Sequence, residues 1–350
     1  MTTDEQYMHR CLQLAVMGAG FVAPNPMVGA VLVHEGKIIG EGYHIQYGQA
    51  HAEVNCINSV EEEDQHLIPL STIYVSLEPC AHYGKTPPCA DLIIAKKILR
   101  VVVGCRDPFK QVDGKGIEKL KAAGINVTVG ILEKECMELN KRFFTFQTGH
   151  MPYIILKWAK TSNNKIAAGP DERLLITNPL TNKLVHKWRS EEAGILVGTN
   201  TALLDDPELN NRLWSGKSPV RLLVDMHLRL PSSLRILNKQ QPTIVFNLLQ
   251  HDMNESGLSY YLVAEDAGIV HQIMNACYQN NIQSILVEGG AKLLQSFIDE
   301  YLWDEARIIT NESLVIEEGL NAPELNNQHL IHTEQILTDR IDYYTSKDKN

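Results

Sequence analysis

No block of basic residues runs through this chain of 350 residues, whose formal net charge is −10. A general nucleic-acid or membrane-surface partner is therefore not expected, although a local basic pocket for one phosphate stays compatible with the charge. No apolar run approaches the ~20 residues that a membrane-crossing helix needs. The amino terminus lacks a basic segment followed by an apolar stretch and a cleavage site. The seven cysteines are an odd number without a paired framework, which excludes a disulfide scaffold and suits reduced thiols in the cytoplasm. Cys11, Cys56, Cys105, Cys136 and Cys277 read as small packing residues. A Gly-x-Gly-x-x-Gly element is also missing, so nothing points to a Rossmann domain.

What is present is ample apolar content, 44%, in a chain longer than one core usually serves, so two domains are expected. In the first half, strand-like runs at 27–33, 37–43, 72–77, 100–104 and 125–130 alternate with helical patterns at 5–18, 52–60, 90–97, 116–123 and 133–142. The first two runs form a hairpin across Glu35-Gly36, and Glu61-Glu62-Glu63-Asp64 reads as a solvated loop. Gly149-His150-Met151-Pro152 breaks the pattern and sets the boundary, giving domains 1–149 and 150–350. The second half alternates again, with strands at 153–159, 193–197, 220–224, 243–246, 284–287 and 306–309 and helices at 179–189, 267–278 and 291–299. Asn178-Pro179 marks a helix start. Both halves are of the α/β layered class.

The chemistry concentrates in His51-Ala52-Glu53, Pro79-Cys80 and Cys89. One His and two Cys can hold a zinc ion and leave its fourth position open, the ligand arithmetic of a catalytic rather than a structural site. Glu53 lies two residues from the His and is free to move protons beside the metal. Zinc deaminases share this His-x-Glu…Pro-Cys…Cys arrangement. The bland alternative is a chance His-x-Glu with two buried thiols. The setting weighs against it: a strand at 72–77 is stopped by Glu78-Pro79-Cys80, and helical patterns open at His51 and Cys89, so the three ligands can converge. The interval from Cys80 to Cys89 exceeds the usual Cys-x-x-Cys, and it carries His82 and Lys85, which suit an anionic substrate.

The run Glu78-Pro79-Cys80-Ala81-His82-Tyr83-Gly84-Lys85-Thr86-Pro87-Pro88-Cys89 resembles the RibD family of bifunctional riboflavin-biosynthesis proteins. Pro24-Asn25-Pro26-Met27-Val28-Gly29-Ala30-Val31, Gly42-Tyr43-His44 and Gly104-Cys105-Arg106-Asp107-Pro108 extend the match. That family joins a diaminohydroxyphosphoribosylaminopyrimidine deaminase to a 5-amino-6-(5-phosphoribosylamino)uracil reductase. The resemblance implies a cytidine-deaminase-like α/β/α domain, then a dihydrofolate-reductase-like α/β domain. It implies one zinc per chain on His51, Cys80 and Cys89, with Glu53 catalytic. It places Asn25 and His44 at the pyrimidine and His82 and Lys85 near the ribose phosphate.

In the second half the resemblance rests on Lys157, Ile176-Thr177-Asn178-Pro179, Arg189, Val197-Gly198-Thr199-Asn200-Thr201, the run from Asp205 to Arg212, and Val287-Glu288-Gly289-Gly290. It implies a substrate site at Lys157, Arg173, Arg189, Leu209, Arg212 and Glu288. NADPH would meet Lys160, Leu175, Thr201, Asp205 and the backbone at Gly290. Physically, guanidinium groups suit phosphate through paired charge-assisted bonds, whereas most Arg are simply solvated. A strand, a Gly pair and a helix can present N–H groups to a phosphate or merely make a tight turn. Thr161-Ser162-Asn163-Asn164-Lys165 departs from the family's Ser-Leu-Asp-Gly-Lys, Lys160 replaces a small residue, and Arg173 and Leu175 replace a Ser and a Trp.

The expected activity is hydrolytic deamination of a phosphoribosylated pyrimidine, then NADPH reduction of its ribosyl group, by a cytoplasmic homo-oligomer without nucleic-acid or membrane partners. Alternatives are a deaminase with a degenerate reductase domain, a nucleoside or RNA deaminase, and a non-enzymatic metal-binding protein.

Overall fold

The computed structural model describes residues 1–83, 87–109, 113–169, 174–249 and 255–347. The chain divides into two compact units, Met1–Gly149 and His150–Asn350. The first contains α1 (Thr3–Val16), β1 (Gly29–His34), β2 (Lys37–Tyr43), α2 (Ala52–Asn58), β3 (Thr72–Leu77), α3 (Cys89–Ala95), β4 (Arg100–Cys105), α4 (Lys115–Ala122), β5 (Asn126–Val129), α5 (Glu133–Leu139) and α6 (Lys141–Gly149).

Its sheet has the order β2-β1-β3-β4-β5, with β1 antiparallel to both neighbours and β3, β4 and β5 parallel. Alternation along the strands serves two cores. Ala30, Leu32, Ile73, Val75, Val101 and Val103 pack with Ala52, Cys56, Ile57, Ala90, Ile93 and Leu120 of α2, α3 and α4. Val31, Val33, Tyr74 and Val102 face the other way, onto Met8, Cys11 and Leu14 of α1 and Cys136 of α5. The unit is thus an α/β/α sandwich. Cys11, Cys56, Cys105, Cys136 and Cys277 are all buried among apolar neighbours. Glu35 (φ 47) and Gly36 (φ 83) make the hairpin turn, since positive φ at both positions matches the strand twist. The acidic run belongs instead to a 3-10 helix, Glu62–Leu70, and Lys37 reaches Asp64 at 3.3 Å.

The second unit contains β6 (Tyr153–Thr161), β7 (Lys165–Ala167), α7 (Pro179–Glu191), β8 (Gly194–Gly198), α8 (Thr199–Asp205), β9 (Val220–Val224), β10 (Thr243–Asn247), β11 (Leu258–Leu262), α9 (Ile269–Gln279), β12 (Ser284–Val287), α10 (Ala291–Asp299), β13 (Glu305–Asn311), β14 (Leu320–Asn321), β15 (Gln328–Ile336) and β16 (Asp339–Ser346). The large sheet has the order β11-β10-β9-β8-β12-β6-β13-β16-β15. Its first seven strands are parallel; β16 and β15 close it antiparallel. α9 and α10 cover one face, α7 and α8 the other.

The chain leaves β6, runs outward through β8 to β11, and returns to insert β12 between β8 and β6. At such a reversal, beyond the carboxyl ends of the strands, open α/β sheets bind ligands. α7 starts as its sequence predicts: the Asn178 side chain accepts from Leu180 and Thr181 N–H, with Pro179 in the first turn. α8, β7, β11, β14, β15 and β16 were not expected. β15 shows no alternation because its whole length is exposed or half-buried at the sheet's edge.

Candidate active sites

In the first unit, His51 is the N-cap of α2, Cys80 follows β3, and Cys89 opens α3. His51 Nδ1 lies 3.6 Å from Cys80 Sγ and 3.4 Å from Cys89 Sγ. The three donor atoms all fall within 4.8 Å of one another, and among the described residues this is the one such group. The Cys89 N–H also donates to Cys80 Sγ at 3.3 Å. The Cys89 thiol, and then His51, bond to the Cys80 sulfur and hold its thiol down at about 4, while that same bond and burial drive Cys89 up. A ready thiolate, a second thiol and an imidazole at this spacing fit a zinc ion.

Glu53 sits in the first turn of α2 and is only 3% exposed. Burial pushes its carboxyl up to about 7, Cys80 adds to that, and His51 opposes it. A carboxyl in that range can both take and return a proton near neutral pH. Asn25 Nδ2 lies 3.2 Å from His44 Nε2, and His44 Nδ1 lies 3.0 Å from the Ala50 carbonyl. The His44 ring meets the His51 ring edge-on at 5.4 Å, so this pair borders the ligand cluster. His82 packs edge-on against Phe109 at 6.2 Å, with a buried Nδ1. Lys85 lies outside the described residues.

Two buried residues that sequence reasoning passed over hold this site in shape. Glu78, read only as a strand stop, accepts backbone N–H bonds from Asp107 (3.3 Å), Gly114 (3.0 Å), Gly116 (3.0 Å) and Ile117 (3.3 Å). It thereby ties the segment before Cys80 to the start of α4. A Cβ at Gly116 would run into the Pro79 carbonyl, so only Gly permits that approach. Asn140 brackets Met27, accepting from its N–H and donating to its carbonyl, both at 2.8 Å, which fixes the loop carrying Asn25. An acidic residue beside a ligand was the available signal for Glu78; Asn140 had none.

In the second unit, Lys157 and Glu288 each lie one step beyond the register pair Leu156↔Val287 of β6 and β12. Lys157 Nζ is 3.7 Å from Glu288 Oε2. Arg189, in the last turn of α7, grips both Glu288 oxygens, at 2.8 and 2.7 Å. Burial alone would raise the Glu288 carboxyl, but Arg189 and Lys157 outweigh it and hold it at about 2. Arg189 is therefore not an ordinary solvated arginine. Arg212 is different: its side chain is 52% exposed, with Nη1 2.9 Å from Asn210 Oδ1 and 3.6 Å from Glu208. Leu209 is buried at φ 51 beneath this segment.

Gly290 (φ 74) is the N-cap of α10, and a Cβ there would lie 3.3 Å from Thr201 Oγ1. A Cβ at Gly289 would press on Val197. The glycine pair so leaves a cradle at a helix start beside α8, where Asp205 is the last residue, and such a cradle fits a cofactor phosphate. Leu175 is 78% exposed, Lys160 bonds Asn164 Oδ1 at 3.1 Å, and Arg173 lies outside the described residues. The departure at 161–165 preserves the turn: Asn164 stands where the family has Gly and adopts φ 65, which Asn tolerates better than most residues. Asn163 ties the loop down through the Ile316 carbonyl at 2.6 Å.

Residues 1–105 match the family model described as the cytidine and deoxycytidylate deaminase zinc-binding region, and residues 152–315 match the RibD C-terminal domain. The riboflavin biosynthesis protein RibD of Aquifex aeolicus (strain VF5) is 38% identical over 345 residues, covering 97% of this chain and 95% of that protein. RibD of Escherichia coli (strain K12) is 35% identical over 320 residues, 86% of each chain. A Thermotoga maritima crystal structure is described as a diaminohydroxyphosphoribosylaminopyrimidine deaminase/5-amino-6-(5-phosphoribosylamino)uracil reductase. It superposes with a TM-score of 0.89 at 34% identity, covering 98% of this chain and 99% of that one. Acinetobacter baumannii RibD, form 1, gives 0.90 at 30% identity, covering 98% of both.

Proposed function

The chain belongs to the RibD family, and from that premise we propose which of its residues carry each half of the reaction. As a family member it is a bifunctional deaminase and reductase of riboflavin biosynthesis, using zinc and NADPH on a phosphoribosylated pyrimidine. For the first half, His51, Cys80 and Cys89 hold the zinc, which supplies Lewis-acid activation of water. Glu53 takes the two protons of the water in turn at its carboxylate, giving one to the pyrimidine ring nitrogen and the other to the amine that leaves as ammonia. Asn25 and His44 orient the ring, and His82 and Lys85 meet the ribose phosphate. The substrate is 2,5-diamino-6-(5-phosphoribosylamino)pyrimidin-4-one.

For the second half, NADPH supplies the reducing chemistry and the protein supplies orientation. Lys157, Arg189, Arg212 and Glu288 hold the deaminated substrate, with Arg212 on its phosphate and with Arg173 and Leu209 bordering them. Thr201, Asp205 and Gly290 contact the cofactor, with Lys160 and Leu175 at its outer edge. Glu288 already accepts from Arg189 on both oxygens, so it acts chiefly as the anchor that aims Arg189 and Lys157. We place the protein in the cytoplasm as a homo-oligomer, with small-molecule partners only. The net charge of −10 supports the absence of a nucleic-acid partner. Among the described residues no helix is long and apolar enough to cross a membrane.

The observation that carries this reading is the convergence of His51, Cys80 and Cys89 with buried Glu53 beside them. Purified protein given the diaminopyrimidine substrate alone should release ammonia and stop at the ribosyl product. With NADPH added it should yield the ribityl product. Ammonia release without any ribityl product at saturating NADPH would reduce the protein to a deaminase with an idle second unit.

A further inference from the structure

His186 lies in α7, one turn before Arg189, and is 1% exposed. Its Nδ1 is 3.2 Å from the backbone nitrogen of Arg212 and accepts that N–H. An imidazole nitrogen can accept only when it carries no proton, so the neutral ring holds its proton on Nε2. Nε2 is buried and has no hydrogen-bond partner among the described residues. The one bond His186 makes is therefore the bond that fixes Arg212.

The rest of the 208–218 segment is fastened to the same helix and its neighbours. The Glu208 carbonyl accepts from Arg221 Nε at 2.8 Å, and the Asn210 carbonyl from Arg189 Nη1 at 3.4 Å. The Trp214 ring lies under Lys183 and Lys187, at 5.5 and 5.8 Å. Gly216 (φ 126) passes so close to Ser190 that a Cβ would clash. The segment is a strap laid along α7 on which two cations, Arg212 and Lys217, are exposed, and Arg212 is the one whose backbone His186 holds. Among the described residues, only Asn210 and Glu208, both on the strap itself, pin the Arg212 side chain. Its position relative to the Lys157–Arg189–Glu288 cluster is thus set by its backbone, and its backbone N–H is held by His186.

We infer that His186 is a positioning residue for the reductive half-reaction, holding Arg212 by its backbone so that the guanidinium meets the substrate's phosphate. This inference rests on the assignment of Arg212 to the phosphate. The predicted effect is on binding rather than turnover, because an interaction made equally in ground and transition states moves KM and leaves kcat alone.

The test uses the full-length protein loaded with zinc. NADPH oxidation is measured with the deaminated phosphoribosyl intermediate and with its dephosphorylated nucleoside. Asn places an amide oxygen near the position of Nδ1, whereas Gln reaches the position of Nε2. His186→Ala and His186→Gln should each raise KM for the phosphorylated substrate by about 10-fold, the scale of one lost hydrogen bond. Their kcat and their KM for the nucleoside should stay near wild type. His186→Asn should restore most of the lost affinity. If His186→Asn is as impaired as His186→Gln, the Nδ1 bond is not what matters and the inference fails. It fails also if Arg212→Ala raises KM for the phosphorylated substrate while His186→Ala and His186→Gln do not. If Arg212→Ala itself leaves that KM unchanged, the phosphate assignment is overturned, and the inference with it. The Asn and Gln variants are of similar size and polarity, so their contrast survives even if the Ala variant does not fold.

Discussion

In the first unit, three uncharged-to-anionic side chains crowd together at the ends of elements: His51 before α2, Cys80 after β3 and Cys89 at the start of α3. In the second, fully charged groups of opposite sign already satisfy one another, with Glu288 between Arg189 and Lys157. The first cluster needs a cation to balance it; the second pairs its carboxylate internally and keeps one positive charge over, which suits an anionic substrate. Losing a member of the first should therefore remove chemistry while the scaffold stands. Losing a member of the second should strand a buried charge, so that stability and chemistry fall together.

The largest expected effect follows from the ligand set. Cys89→Ser should leave the protein without zinc and without measurable ammonia release, because two donors do not make a tight catalytic site. Metal analysis of the purified variant decides it: about one zinc per chain retained would remove Cys89 from the ligands. Glu53→Gln separates the metal from proton transfer. It should keep zinc and lose about 10²- to 10⁴-fold in deamination, the usual contribution of a placed acid–base group. Given the already deaminated intermediate, the same variant should oxidise NADPH at the wild-type rate. Near-normal ammonia release would mean that another group moves the proton.

Arg189→Ala tests the other half of the contrast. It leaves the Glu288 carboxylate, 6% exposed, with Lys157 alone at 3.7 Å. Breaking a buried pair from one side costs about 3–5 kcal/mol. All four tryptophans, Trp158, Trp188, Trp214 and Trp303, lie in the second unit, so their fluorescence in a urea titration reports that unit alone. The variant should show a large drop in the urea midpoint and no ribityl product, yet release ammonia as wild type does. Replacing the whole cluster, Arg189→Met and Lys157→Met with Glu288→Leu, should recover much of the stability and none of the reduction. A midpoint unchanged in Arg189→Ala would show that the pair is not buried in solution.

The same contrast explains what could be read from the sequence. The ligand cluster was legible because its chemistry is written in short runs: His51 to Glu53, and Glu78 to Cys89. Arg189, Arg212, Lys157 and Glu288 carry no local signature, and only the resemblance singled them out. What links Lys157 with Glu288 is strand register, and register across a parallel sheet is not visible in one chain's pattern. His186 was missed for a related reason. Its Val185 and Trp188 neighbours read as a core face, and a His among them passes for packing until its bond to Arg212 is seen. β15 and β16 escaped because exposed residues along β15 hide the alternation, and their turn has Leu337 at φ 53 in place of a Gly or Asn.

The smallest effect concerns acid. Burial, then Arg189 and Arg212, lowers the His186 pKa to about 4; Lys157 acts in the same direction and Glu288 against it. The folded second unit thus keeps this ring neutral at a pH where the unfolded chain, with the ordinary value of 6.5, has taken up a proton. The unfolded state binds more protons in that interval, so stability falls as the pH drops from about 6.5 towards 4, by at most about 1.4 kcal/mol per pH unit. Above 6.5 the contribution is complete. The Glu288 contribution lies lower: its carboxyl is held at about 2 against an ordinary 4.5, so it is complete above 4.5 and is lost only as the pH falls towards 2. The two windows are distinct, and the tryptophans exclude the cysteines and histidines of the metal cluster from the signal. Urea midpoints taken at pH 7.5 and 5.5 should therefore separate further in the wild type than in His186→Asn, which cannot titrate. An equal shift in both proteins would mean that the folded unit does not hold His186 below its ordinary value, and that the acid sensitivity of the second unit lies elsewhere.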